Sequence, residues 1–130
     1  MDENKASSYS YKFPKSQRLS SKKDIANLFK KGRSLFLYPF LLKYIEQETQ
    51  GIDQVLVSVS KKKHRKAHDR NLIKRRIKEA YRLNKPHFDF KATYSLAYIY
   101  TADRILPFSE IEEKLKETLL RLSTIQNSDK

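Results

Sequence analysis

The stretch Asp69-Arg70-Asn71-Leu72-Ile73-Lys74-Arg75-Arg76-Ile77-Lys78-Glu79-Ala80-Tyr81-Arg82 reads as a helix that can bury only one narrow edge. At about 100° per residue, Ile73, Ile77 and Ala80 fall within about 60° of arc, whereas Arg70, Asn71, Lys74, Arg75, Lys78 and Arg82 spread over about 140°. The fold must therefore provide an apolar surface for that edge and leave the wide cationic face in solvent. Like charges at i, i+4 spacing destabilise an isolated helix by about 0.2–0.5 kcal/mol per pair, and a solvated helix normally relieves them with Asp or Glu. Here only Asp69, which suits a helix start, and Glu79, at the border of the basic face, provide that relief.

The charge is local. Between Lys61 and Lys85 there are twelve Lys or Arg against Asp69 and Glu79, so this window holds +10 of the chain's formal +13. A single stripe makes a directional field, and a phosphate backbone is the partner that such a field selects. If about six to eight phosphates are neutralised, counterion release makes affinity fall by orders of magnitude between low and moderate salt. The absence of Cys excludes disulfides, thiolate catalysis and Cys-ligated zinc. With only Gly32 and Gly51, a glycine-rich nucleotide loop is excluded as well. His64 and His68 stand at i, i+4, but no third His or carboxylate cluster lies near them, so they read as ordinary exposed or RNA-facing side chains. Asp53, Asp69, Asp89 and Asp103 form no recognisable metal motif, and no metal site is expected.

With 130 residues and 38% apolar content, the chain can bury one core. No membrane span is present, and Met1-Asp2-Glu3-Asn4-Lys5 lacks the apolar segment of a secretory signal, which predicts a cytoplasmic protein. Residues 1–17 read as a flexible N-terminal arm, 18–122 as one α/β domain and 123–130 as a flexible tail. Ser20 or Ser21 caps a first helix carrying Ile25, Leu28 and Phe29, which closes at Gly32, a position suited to a left-handed residue. Phe36 to Glu46 reads as a strand with an edge or bulge at Pro39. Gln54 to Ser60 alternates as a second strand, with Val55, Val57 and Val59 on one face. Pro86 stops the basic helix, and Thr93 to Thr101 is a strand covered on both faces, its tyrosines serving as packing groups. Ser109 and Glu112 form a capping box for a last helix with Ile111, Leu115, Thr118, Leu119 and Leu122 as its stripe. The order is α-β-β-α-β-α, an α+β fold.

The basic segment resembles the signature of the bacterial ribonuclease P protein component, approximately K-x-A-V-x-R-N-x-x-K-R-x-x-R-E. Lys66, Ala67, Arg70, Asn71, Lys74, Arg75 and Glu79 match it, followed by Ala80-Tyr81-Arg82. Phe13-Pro14-Lys15 with Arg18-Leu19, the Ile25 to Phe29 helix ending at Gly32, and Val57-Ser58-Val59-Ser60-Lys61-Lys62 extend the resemblance over roughly residues 13 to 122. Departures are Leu72 for the third residue of an Arg-Asn-Arg triplet, His68 for Val and Lys78 for Arg. Ile25 stands at a position often aromatic, and Lys43 or Tyr44 where an aromatic is usual.

The resemblance implies a two-layer α/β sandwich with the basic helix in a left-handed β-α-β crossover, although such connections are almost always right-handed. It implies a protein subunit of a ribonucleoprotein endonuclease that removes 5′ leaders from precursor tRNA, with catalysis and Mg²⁺ belonging to the RNA and no catalytic residue in this chain. The expected partners are the ribonuclease P RNA and precursor tRNA, with no obligate protein partner. The expected RNA-binding residues are Lys61, Lys62, Arg65, Lys66, Arg70, Asn71, Lys74, Arg75, Lys78 and Arg82, with Arg76 compensating for Leu72. Ile25, Phe29, Phe36, Phe40, Lys43 and Tyr44 are the candidates for a leader-binding cleft, since unpaired bases stack on such groups for about 1–3 kcal/mol each. A structural RNA-binding protein of ribosomal or scaffold type is the alternative for the same cationic helix, and a protein-only nuclease a third.

Overall fold

A computed structural model describes residues 15–48 and 51–128. Three helices, α1 (Lys22–Lys31), α2 (Ala67–Asn84) and α3 (Phe108–Ser128), accompany four strands, β1 (Arg33–Leu37), β2 (Phe40–Glu46), β3 (Gln54–Val59) and β4 (Tyr94–Tyr100). The sheet order is β1-β2-β4-β3, with β3 and β4 parallel and the other pairs antiparallel. A β-α-β unit built around α2 thus sits at one edge, and the mixed α+β class expected from the pattern holds.

Alternation divides the sheet into two unlike faces. Phe40, Leu42 and Tyr44 of β2, the three valines of β3, and Tyr94, Leu96, Tyr98 and Tyr100 of β4 form the main core with Ile73, Ile77 and Ala80 of α2 and Ile111, Leu115, Leu119 and Leu122 of α3. On the opposite face, Leu28 of α1 packs with Leu19 and Ala97, beside Ile25, Ile45 and Leu56. The principal layers are therefore the sheet and the α2/α3 pair, with α1 across part of the other side. Parallel bridging of Arg18 to Val55, with the Leu19 amide donating to the Val55 carbonyl at 3.0 Å, covers the β3 edge.

The segment expected as one strand around Pro39 is a hairpin. Arg33–Leu37 turns through a cis Tyr38-Pro39 bond into Phe40–Glu46, with Leu37 opposite Phe40. Two strands replace one, because a proline between two β-favouring runs serves the turn as well as a bulge. Ser21 does cap α1, its hydroxyl accepting from the Asp24 amide at 3.3 Å. Gly32, however, is not left-handed, with φ −70° and ψ 158°. Close approach explains it, since a Cβ there would lie 2.3 Å from the Leu28 carbonyl oxygen and 3.1 Å from that of Tyr44.

The capping box is also replaced. Helix α3 begins at Phe108, with Ser109 already inside its first turn, and the Pro107 carbonyl accepts from the amides of Glu110 and Ile111. Glu112 instead accepts a 3.0 Å bond from the Asn84 amide group at the end of α2, joining the two helices. The expected tail from residue 123 continues this helix to Ser128, with Ile125 against the core. Of the expected N-terminal arm, residues 1–14 lie outside the described residues, and Lys15–Gln17 form a single 3₁₀ turn.

Candidate nucleic-acid interface

Ile73, Ile77 and Ala80 are completely buried, as the narrow stripe requires, and Tyr81 and Asn84 extend the buried edge. The cations around them divide into two groups according to what each touches. Lys61, Lys62, Arg65, Lys66 and Arg75 are exposed, Lys74 and Lys78 are half-buried, and among the described residues none of these seven bonds to another side chain or to the backbone through its own side chain. They are free to meet phosphate. Asn71 is exposed beside them.

Other cations of the stripe are committed within the protein. Nη1 of Arg70 donates to the carbonyls of His64 and Arg65, each at 2.9 Å. Nη1 of Arg76 donates to the Leu106 carbonyl at 2.6 Å, so Arg76 holds the segment before α3. Arg82 pairs with Glu79 at 2.6 Å, and Lys85 pairs with Asp53 at 2.9 Å while lying 4.5 Å from the centroid of the Phe90 ring. Nζ of Lys63 donates to the Thr101 carbonyl at 2.6 Å.

These commitments stitch the β3–α2 loop to the β4–α3 loop. His64, expected to be exposed, is buried, with Nε2 2.8 Å from the Ala102 carbonyl oxygen and its ring 5.8 Å from that of Tyr100. A half-apolar imidazole fills the space beneath the loop that a charged side chain could occupy only at high desolvation cost. His68 conforms to expectation, with its side chain 89% exposed beside Asp69. On the β4 side, the Tyr100 hydroxyl donates to the Arg104 carbonyl and accepts from the Leu106 amide. Burial raises the Tyr100 pKa, which the bond from Leu106 partly opposes. Tyr98, fully buried against the Thr118 hydroxyl, is raised further, again chiefly by desolvation.

Lys78 is perturbed in the opposite direction. Desolvation, then the nearby charge of Lys74, then that of Arg18 lower its pKa. Cations on α2 and on the segment beside β3 therefore converge at this edge of the sheet, where an arriving anion would relieve their repulsion.

On the opposite face, Phe36 and Phe29 are 61% and 42% exposed. Lys43 lies on this face between Leu41 and Ile45, its Nζ donating to the Ser34 hydroxyl at 3.1 Å. Ile25 is half-buried in the small cluster under α1. Phe40 and Tyr44 do not belong to the cleft. They are 0% and 6% exposed and point into the main core, because residues 40, 42 and 44 share one face of β2 and 41, 43 and 45 the other. Leu41 shares the Lys43 face instead, adjoining Phe36 on β1 and Ile99 on β4. In the sequence, the only mark of that face is the parity of the charged Lys43 within an apolar run.

Among the described residues, no three His, Asp or Glu side chains gather as a metal site, and no helix is long and apolar enough to cross a membrane. Among the described residues, the surfaces offer an array of unpaired cations on one side, and exposed Phe29 and Phe36 with Lys43 on the other. The Ribonuclease P family matches residues 13–123. The ribonuclease P protein component of Porphyromonas gingivalis is 30% identical over 116 residues, covering 84% of this chain and 85% of its own length. That of Clostridioides difficile is 33% identical over 110 residues, covering 84% and 94%. Among solved structures, the RNase P protein of Staphylococcus aureus superposes with a TM-score of 0.71 at 25% identity, covering 86% of this chain and 99% of the other. That of Thermotoga maritima gives 0.69 at 26%, covering 80% and 96%. With most of the sequence and most of the fold matched, this chain belongs to the ribonuclease P protein component family.

Proposed function

We propose that the two faces of the sheet bind two different RNAs. In this reading the free cations of α2 and its preceding loop bind the ribonuclease P RNA, and the groove beside α1 takes the single-stranded 5′ leader of precursor tRNA. The family role, 5′ maturation of tRNA by an endoribonuclease whose other component is RNA, supplies both ligands. Catalysis and the Mg²⁺ that supports it are assigned to the RNA, and the holoenzyme to the cytoplasm.

The observation that carries this reading is the placement of Phe36, Phe29 and Lys43 on the sheet face opposite the core packed against α2. Solvated aromatics stack on bases of any identity, and the Lys43 ammonium beside Phe36 suits a phosphate. Proximity does the rest. Holding the leader and the catalytic RNA on one rigid domain turns their encounter into an intramolecular one.

Reconstitution tests it. Purified protein is added to a ribonuclease P RNA at low Mg²⁺, and cleavage is measured for a precursor with a long leader and for one with a single leader nucleotide. Tighter binding of the long-leader substrate, with a smaller gain for the short one, is expected. An equal gain for both would remove the leader from the groove, and no gain for either would favour a purely structural RNA-binding role. Cleavage by the protein without the RNA would place the chemistry in this chain.

A further inference from the structure

We infer that Arg70 is a positioning residue, a brace that gives the β3–α2 loop the shape in which its lysines and Arg65 meet RNA, and not itself a phosphate ligand. The inference rests on the reading that this side of the molecule binds the ribonuclease P RNA. It changes the role of the arginine that leads the sequence motif.

The geometry is specific. Carbonyls of consecutive residues in an extended chain point in opposite directions, yet those of His64 and Arg65 both converge on Nη1 of Arg70 at 2.9 Å. The loop is bent sharply there, and the guanidinium offsets the repulsion between two carbonyl dipoles pointing the same way. The rest of the loop is held in the same manner. The Ser60 hydroxyl accepts from the amides of Lys62 and Lys63 at 3.1 and 3.3 Å, the His64 amide donates to the Ser60 carbonyl at 3.0 Å, and Nζ of Lys63 and Nε2 of His64 reach the carbonyls of Thr101 and Ala102. Nearly every contact uses a backbone atom and so fixes the path of the chain.

What the brace presents is the remainder of the loop. Lys61, Lys62, Arg65 and Lys66 are exposed and unpaired within six residues. Their mutual repulsion favours spreading, and a flexible loop would have to be ordered again on binding. A loop already bent and anchored avoids that ordering. Removing Arg70 therefore weakens several phosphate contacts at once, which a single lost ligand cannot do.

The test compares Arg70→Met, which keeps the apolar stem, and Arg70→Lys, which keeps the charge on a shorter reach, with the unaltered protein. Binding to a full-length ribonuclease P RNA is measured across a salt series. Each phosphate contact contributes about 0.9 to the slope of log K against log salt on duplex and about 0.7 on single strand. We expect both substitutions to lower the slope by two contacts or more. Against a background of Lys61→Gln, Lys62→Gln, Arg65→Gln and Lys66→Gln, Arg70→Met should change affinity by less than about twofold, because coupled residues do not add.

Amide hydrogen exchange of the free protein should show faster exchange at Lys62 to His64 after Arg70→Met, with β4 and the interior of α2 unchanged. A slope lowered by only one contact, additive effects, recovery by Arg70→Lys or an unchanged loop exchange would each overturn the brace. If Lys74→Gln with Arg75→Gln leaves RNA affinity intact, the underlying reading of this face fails instead, and the two failures are thereby distinguished.

Discussion

The α2 side of the molecule and the groove beside α1 contact solvent in opposite ways. On the α2 side the surface is cationic, with Lys61, Lys62, Arg65, Lys66, Lys74 and Arg75, unpaired among the described residues, held on a loop and helix whose backbone is pinned at many points. In the groove the surface is aromatic and aliphatic, with Lys43 set among Phe36, Leu41 and Ile45. The first suits a ligand recognised by its charge density, and the second a ligand whose bases are unpaired. Salt is the variable that separates them.

The largest effect is expected from the cationic side. Changing Lys61, Lys62, Lys66, Lys74 and Arg75 to Gln together should weaken binding to the ribonuclease P RNA by at least about a hundredfold at 0.15 M salt and flatten the salt slope by several contacts, at about 0.9 per phosphate. Filter binding over a salt series measures both quantities. The fold should survive, because none of these side chains bonds to another of the described residues. A loss of affinity with an unchanged slope would mean that the substitutions act through structure and would erase the contrast between the two faces.

A smaller, salt-independent effect is expected in the groove. Phe36→Ala removes a ring that is 61% exposed and contributes little to the core, so stability should be nearly unchanged. Loss of one stacked base, about 1–3 kcal/mol, corresponds to a roughly 5- to 150-fold loss of affinity for a long-leader precursor. Equilibrium binding of the reconstituted holoenzyme should show that loss with the salt slope intact, and binding to the RNA subunit alone should not change. Phe40→Ala should behave oppositely, because that ring is 0% exposed, 5.3 Å from Tyr98, and fills the core: stability falls by about 3–5 kcal/mol. If Phe36→Ala and Phe40→Ala affect leader binding equally in folded protein, the division of β2 into two faces is not what sets the groove.

That division marks how far the sequence could be read. The edge of α2 was legible because Ile73, Ile77 and Ala80 are spaced for a helix and everything around them is charged. The faces of β2 were not, because Phe40-Leu41-Leu42 is apolar on both sides of the strand and a continuous apolar run carries no parity. Lys43 alone marks a face of this strand, the one opposite Phe40 and Tyr44. The cations were legible as a set but not individually. Arg70 and Arg76 look the same in sequence as Arg75, yet Arg70 binds carbonyls of residues 64 and 65 that the bend of the preceding loop brings near, and Arg76 that of residue 106, brought near by the tertiary fold. The burial of His64 is invisible in the sequence because the Ala102 carbonyl it meets is 38 residues away.

The mildest prediction concerns Lys78, where binding and stability oppose each other. Burial and the charges of Lys74 and Arg18 hold its pKa below the ordinary lysine value, so keeping it protonated costs the folded state. Because the folded pKa is the lower one, that cost is fully present at neutral pH and is relieved as pH climbs through the folded value toward the unfolded one, where the unfolded chain binds more protons. Lys78→Gln removes the like-charge pair with Lys74, which at i, i+4 destabilises by about 0.2–0.5 kcal/mol. The variant should therefore melt slightly higher than the unaltered protein at pH 7, and the gap should close in alkaline buffer, while affinity for the ribonuclease P RNA falls severalfold. Thermal melts at several pH values together with one salt titration measure all three. A variant that melted lower at pH 7 would show that the stem of Lys78 contributes more by packing than its charge costs, and this edge of the sheet would then be a structural seam and not a site held in readiness for phosphate.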